Sequence, residues 1–266
     1  MSAFFTVVIP TYNRANFIRN AINSVRRQTF TRWRLLIVDD ASTDDTKEVV
    51  SPYLIHPNIY YYRMAENSGV SNVLNTALAM VDTPFLVQLD SDDWLSPNAL
   101  ALLYRAIKRG RRNTALYYGN VNLWKKTDSG EYHKAFHVKH RHFRSKYDFL
   151  TYTRWMVAPR CYRVSALREV GGWDTSDPFG GRIMEDRRII LKLVERYPLK
   201  WINKTLYNRL KHKNSLTKPS SKIKRNYLRK ITFDRYLKRW GNKYRAVYRY
   251  SNGYLVIKKL VRRKRK

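Results

Sequence analysis

The sequence predicts an α/β fold, a mostly parallel central sheet with helices on both faces, followed by a basic helical C-terminal extension. Three observations carry that expectation. Short runs rich in Val, Ile, Leu and Tyr alternate with helix-period segments through the first half. Those runs are almost continuously apolar, as strands covered on both faces are. From Lys218 onward the composition turns to Lys and Arg, with apolar residues at helical spacing.

Each element follows in order. “FFTVVIP” is a β-branched run ended by a proline, and “FIRNAINSVRRQ” places Phe17, Ile18, Ala21, Ile22 and Val25 on one helical face. “RLLIVDD” is a second buried strand, and “STDDTKEVV” opens like a capped helix with acids in its first turn. “NIYYYRM” reads as a third strand, followed by a helix in “SGVSNVLNTALAMV”. “PFLVQLD” is a fourth, before a helix begun by Ser96 with Pro97 at its first position. “TALYYGNVNLW” is a fifth strand, and the basic “KAFHVKHRHFRSKY” reads as a mobile loop or crossing segment. “RCYRVSALREVGGWD”, “MEDRRIILKLVERY” and “WINKTLYNRLKH” then suggest a strand with a short helix, a longer helix and a returning strand.

Composition narrows the function classes. The chain has 266 residues, 44% of them hydrophobic, with 20 Tyr and 7 Trp, enough for a sizeable core. A single cysteine, Cys161, excludes an internal disulfide and fits a reducing compartment. Neither a signal peptide nor an apolar run of roughly 18 residues is visible, so a cytoplasmic protein is expected. The formal net charge is +33, and the segment from Lys218 carries 19 Lys and Arg against one acid, Asp234. Such a segment attracts polyanions: nucleic acid, anionic lipid or an acidic polymer.

In so basic a chain the acids stand out. “FLVQLDSDDWLSPN” packs Asp90, Asp92 and Asp93 into four positions behind a strand. Mutual repulsion makes such a cluster costly unless a cation sits in it. Ligands of parallel sheets bind beyond the strands' carboxyl ends, and there the first, second and fourth strands bring Pro10–Tyr12, Asp39–Asp40 and Asp90–Asp93. Hard ions such as Mn²⁺ or Mg²⁺ prefer carboxylate oxygen, which favours a metal at Asp90 and Asp92 over an ordinary acidic turn. A carboxylate of the Asp39–Asp40 pair can accept an N–H from a uracil-like base, with the Pro10–Arg14 turn wrapping it through backbone groups. Asp44 and Asp45 read as helix caps. Asn67 and Gly69 precede a helix whose N–H groups are open to either a phosphate or a plain cap.

“VVIPTYNR”, “LLIVDDASTDDT”, “ENSGVSNVLNTAL” and “QLDSDDWLSP”, in this order and spacing, closely resemble the nucleotide-sugar half of family 2 glycosyltransferases of the GT-A fold. The resemblance spans about Phe4 to Leu216. It implies one transferase domain over 1–217, with a donor half at 1–120 and an acceptor and base half at 121–217, and a separate extension at 218–266. By position, Thr11, Tyr12 and Asp40 would hold the nucleoside, Asp40 as the uracil-facing acid, while Asp39 beside it would contact the nucleoside or only support the turn. Asp90 and Asp92 match the D-x-D metal motif around Ser91, with Asp92 as the direct ligand of Mn²⁺ or Mg²⁺. Asp93 would support the loop or reach the donor sugar. In “GGWDTSDPFGGRIMEDRRII”, Asp186 falls at the place of the catalytic base, beside Glu185. An inverting transferase needs a carboxylate there to take the acceptor hydroxyl's proton. Trp173 and Asp174 resemble the sugar wall, although Trp173 reads equally well as core. His212 in “LYNRLKHKNSLT” fits a metal- or phosphate-facing position.

These readings imply a nucleotide-diphosphate-sugar donor, UDP-linked by preference, and a glycan or lipid-linked acceptor. The segment 218–266 is expected to meet an anionic membrane at the inner face of the cell membrane, the acceptor, or a second copy of the chain. A nucleic-acid-binding protein is the competing class, but no nucleic-acid module is visible. A nucleotidyltransferase would need a glycine-rich loop after the first strand, and “PTYNRANF” has none. A zinc site among His133, His137, His140 and His142 is disfavoured by the surrounding cations and the lack of cysteine.

Overall fold

The computed structural model describes residues 2–127, 131–153, 155–212 and 222–264. The first half alternates strand and helix: β1 (Phe5–Thr11), α1 (Ile18–Arg26), β2 (Trp33–Asp39), α2 (Thr46–Val50), β3 (Ile59–Arg63), α3 (Val70–Met80) and β4 (Phe85–Gln88). Next come β5 (Trp94–Leu95), α4 (Ala99–Arg109), β6 (Leu116–Lys126), β7 (Tyr132–Val138), α5 (Lys146–Thr151) and β8 (Ala158–Arg163). The chain closes with α6 (Val164–Glu169), α7 (Glu185–Arg196), β9 (Leu199–Lys211), α8 (Lys222–Arg239), β10 (Tyr244–Ser251) and β11 (Tyr254–Arg262).

The main sheet runs β3-β2-β1-β4-β8-β6-β9-β5, with β7 added on β6. β1 pairs in parallel with β2 and β4, and β6 with β9, while β8 is antiparallel to both β4 and β6. The mostly parallel, helix-covered sheet is therefore as expected. Period-two alternation feeds two cores: Phe5, Val7 and Ile9 of β1 join α1 and α4 on one face. Val8, with Leu36 and Val38 of β2, joins α3, α6 and α7 on the other.

Four local expectations change. The basic stretch after Glu131 is not a crossing loop: its first part is β7, an exposed antiparallel strand on β6, because β6 offers an open ladder there. The helix after “WLSPN” starts at Ala99, with Asn98 as its cap, so Ser96 and Pro97 lie in the turn before it. Ser96 is held there by the short β5–β9 pairing, its N–H donating to Leu206 O at 3.0 Å. The C-terminal segment is not helical throughout, since β10 and β11 form an antiparallel hairpin behind α8. Nor does that segment hang free: Phe233, Leu237, Trp240 and Ile257 enter the same core as α3 and α7. The expected boundary after Thr217 lies outside the described residues. Cys161 is buried in β8. Among the described residues no helix is long and apolar enough to cross a membrane.

Candidate active site

The acid cluster after β4 is fastened to β9 at three points. The Asp90 N–H donates to the Tyr207 hydroxyl at 3.1 Å, and the Leu210 N–H donates to Asp93 Oδ1 at 2.9 Å. His212 Nε2 stands 2.9 Å from Asp92 Oδ2. A strand 117 residues downstream thus sets the shape of the loop, and the β5–β9 pairing fixes its register. Ser91 is buried between the acids.

The three acids separate into different tasks. Asp93 is buried, with Arg209 Nε 3.8 Å away, and burial plus the neighbouring Asp92 and Asp90 charges push its carboxyl well above the usual range. It ties the loop to Leu210 of β9. Asp90 keeps about a third of its side chain exposed (34%) and accepts from the Arg160 guanidinium at 2.7 Å. Burial acts to raise its carboxyl, but Arg160 and Arg209 together outweigh that and hold it low. Asp92, 19% exposed, faces outward beside the imidazole.

Arg160 is the residue the sequence reading missed. It lies on β8 opposite Gln88, and its side chain is 2% exposed. One arm meets Asp90, and the other lies 3.7 Å from Asp186 Oδ2. A charged residue within the apolar strand “APRCYR” was the available signal, because a buried guanidinium requires a counter-charge. Asp186 and Glu185 occupy the first turn of α7, with Met184 at φ 59° turning the chain into it. Burial, with Asp186 next in weight, raises the Glu185 carboxyl to about 8, so near neutral pH it donates rather than accepts a proton.

The rim beyond β1 and β2 is built from interlocked loops. Asn13 and Ala41 take left-handed backbone angles, at φ 51° and 60°. Asn13 and Arg14 donate backbone N–H groups to the Ser42 and Thr46 hydroxyls, and Asp44 accepts from Ala15 and Thr46. This is the capping task expected of Asp44. Pro10 and Thr11 end β1, with the Thr11 hydroxyl buried and unpartnered, while Tyr12 is exposed.

Two open readings at this rim meet protein partners. Asp39 is fully buried and spent on protein partners: Ser42 N–H and hydroxyl on Oδ1, the Tyr61 hydroxyl on Oδ2 at 2.5 Å. Its work is to support the turn. The N–H groups of Ser68 and Gly69 are taken by Asp40, at 2.8 and 2.9 Å, so they are not open to a phosphate. Arg182 closes the same segment, donating to Asn67 Oδ1 and Asn67 O. Gly69 is glycine because φ is +89° and a Cβ would lie 2.7 Å from Arg182 Cγ.

The sugar-wall expectation also changes. Trp173 is 2% exposed and meets Tyr162 edge-on at 5.6 Å, so it is core and offers no face for stacking. Asp174 pairs with Arg188 at 2.5 Å, and Asp177 pairs with the same guanidinium. Against the upward pull of burial, Ser176 hydrogen bonds and Arg188 bring Asp174 down to about 2. These ion pairs brace the loop leading into α7.

Mn²⁺ or Mg²⁺ is the ion implied by the motif. Among the described residues no three His, Cys, Asp or Glu side chains form a ready cage, the His133–His142 group included. Asp92 and His212 nonetheless fit as a carboxylate–imidazole donor pair, with Asp90 beside them, for an ion that takes further ligands from diphosphate and water.

The sheet thus carries an acid cluster behind its fourth strand and an acid pair at a later helix start. A family model described as “Glycosyl transferase family 2” matches residues 6–170, more than half of the chain, and the chain belongs to that family. It is 29% identical over 214 residues to the chondroitin synthase of Escherichia coli, covering 78% of this chain and 29% of the synthase. Thus it spans under a third of that relative's length. Among solved structures it resembles Staphylococcus aureus TarS 1–349 in complex with UDP-GlcNAc, at TM-score 0.63 and 20% identity, over 81% of this chain and 60% of that one. A mannosyltransferase from Pyrobaculum calidifontis in complex with GDP-Man and Mn²⁺ follows at TM-score 0.59 and 18% identity, over 90% and 65%. These two likenesses concern the fold, which is the GT-A arrangement expected.

Proposed function

We propose that the chain transfers a sugar from a nucleotide-diphosphate donor, UDP-linked by preference, to a hydroxyl of a glycan or lipid-linked acceptor, with inversion. The observation that carries this reading is the convergence at Arg160: Asp90 and Asp186, 96 residues apart, both lie within 4 Å of one buried guanidinium. The donor's nucleoside rests on the rim of Pro10, Thr11, Tyr12, Arg14 and Asp40. Asp92, His212 and Asp90 would hold Mn²⁺ or Mg²⁺, which when bound offsets charge developing on the leaving diphosphate. Asp186 takes the acceptor hydroxyl's proton as its oxygen attacks the anomeric carbon from the face opposite the diphosphate. Glu185 donates a hydrogen bond beside it, and Arg160 keeps the base oriented.

The names of the relatives, a chondroitin synthase and a UDP-GlcNAc complex of TarS, support a role in polysaccharide synthesis. Asp186→Asn should lower transfer by about 10²–10⁴-fold, the usual weight of a general base, while UDP binding measured by calorimetry persists. EDTA should stop transfer, with Mn²⁺ restoring it. Full activity in the variant, or indifference to EDTA, would overturn the respective assignment.

The exposed face of α8 supports a peripheral contact with an anionic membrane. Ile223, Tyr227 and Ile231 are exposed at four-residue intervals, among exposed Lys224, Lys230, Arg235 and Lys238. Replacing the three apolar residues by serine should weaken sedimentation with phosphatidylglycerol vesicles. Unchanged sedimentation excludes this face.

A further inference from the structure

Two guanidiniums near Asp186, Arg187 buried and Arg229 half-buried, make no ion pair among the described residues. Arg187 follows the base on α7, is 4% exposed, donates NH1 to Tyr152 O at 2.8 Å and lies 5.7 Å over the Phe149 ring. Arg229 on α8 donates NH1 to Leu255 O at 2.9 Å, and its buried Nε has no hydrogen-bond partner among the described residues. Among the described residues neither forms an ion pair, whereas the neighbouring buried Arg160 and Arg188 each hold two carboxylates.

The helices bring the two together. Arg239 of α8 pairs with Glu195 of α7 at 2.9 Å, and Tyr227 meets Phe179, just ahead of α7, at 6.4 Å. The helices therefore lie side by side with their N-terminal ends together. Arg187 is ~12 Å back along α7 from Glu195, and Arg229 ~15 Å back along α8 from Arg239. Consistent with that, burial and the Arg229 charge bring Arg187 down to about 10, while burial and Arg225 lower Arg229. Asp186 is the acid that acts on both, and Asp90 answers to Arg160 and Arg209 instead. The pair thus sits on the side of Asp186 away from the D-x-D acids.

Buried like charges at close quarters are retained where a counter-charge arrives. We propose that Arg187 and Arg229 form an anion subsite that takes an oxyanion of the acceptor, a phosphodiester or a uronate carboxylate, next to the hydroxyl that attacks. The guanidinium edge suits both groups. This rests on Asp186 marking the acceptor side of the transferase site proposed above.

The test begins without catalysis. The full chain is unfolded thermally in EDTA, in inorganic phosphate and in chloride at equal ionic strength. Phosphate should raise the wild-type Tm by several degrees over chloride. Arg229→Gln and Arg187→Gln should lose at least half of that increment, Arg229→Lys should keep more of it, and exposed Arg235→Gln, the same loss of charge, should keep all. An equal increment in wild type and Arg229→Gln overturns the subsite. Transfer is then compared among a uronate oligosaccharide, a glycerol-phosphate oligomer and a neutral oligosaccharide. In Arg229→Gln the kcat/KM preference for one acidic acceptor over the neutral one should fall about tenfold, which identifies the source of the anion. No change with either acidic acceptor overturns the acceptor role. Loss of the phosphate increment with no transfer to any acceptor supports an anion subsite and sinks the transferase reading.

Discussion

A guanidinium in the middle of a sheet is costly unless its charge is met, and Arg160 is met from two sides. Asp90 reaches it from the loop after β4, Asp186 from the first turn of α7. Removing it would leave two carboxylates near one another, each partly exposed. Arg160→Met should therefore destabilise the chain by about 2–3 kcal/mol, below the range for breaking a fully buried pair because water reaches both acids. Urea unfolding measures this, and a loss under about 0.5 kcal/mol would show that the pairing is unimportant. The motif spacing made Asp90, Asp92 and Asp186 legible. It could not show Arg160, because an Arg in a strand says nothing of which acids face it.

At the scale of elements, the start of α3 joins local chemistry to distant chain. Asp40 accepts the N–H groups of Ser68 and Gly69, just ahead of α3, and Arg182 lies across Gly69, so this turn links the end of β2 to the loop before α7. Gly69→Ala would combine strain at φ +89° with a Cβ pressed on Arg182. It should cost about 1–2 kcal/mol by urea unfolding and loosen the Asn67–Arg182 contact. A neutral outcome would mean that Arg182 yields freely. The helix itself was readable from its apolar period. That the N–H groups of Ser68 and Gly69 before it meet a carboxylate depends on where Asp40 points, which no local pattern encodes. In β7 the basic, exposed residues concealed a strand because its pairing comes entirely from β6.

Over the whole molecule, the C-terminal segment combines two faces. Its charge faces outward, while Phe233, Leu237 and Trp240 complete the core that supports α7. Phe233→Ala should cost about 3–5 kcal/mol, as for other large-to-small core substitutions, and lower the Tm measured by calorimetry. If stability were unchanged, the segment would be an appendage. Its consequence for the site is direct, since the helix that carries Arg229 is held against the helix that carries Asp186.

The sequence by itself determined the order of strands and helices, the two-faced burial of the sheet and the family, because periodicity and motif spacing are properties of the chain read in line. It also marked which acids would gather at the strand ends. Only the folded chain sets the neighbours that each acid meets: Asp39 and Asp93 are held by buried partners, Asp40 accepts from Ser68 and Gly69 ahead of α3, and Asp92 stands beside His212. The reason is physical. A carboxylate's role follows from the charges and donors within a few ångströms, and here those come from β8, β9 and α7, far away along the chain.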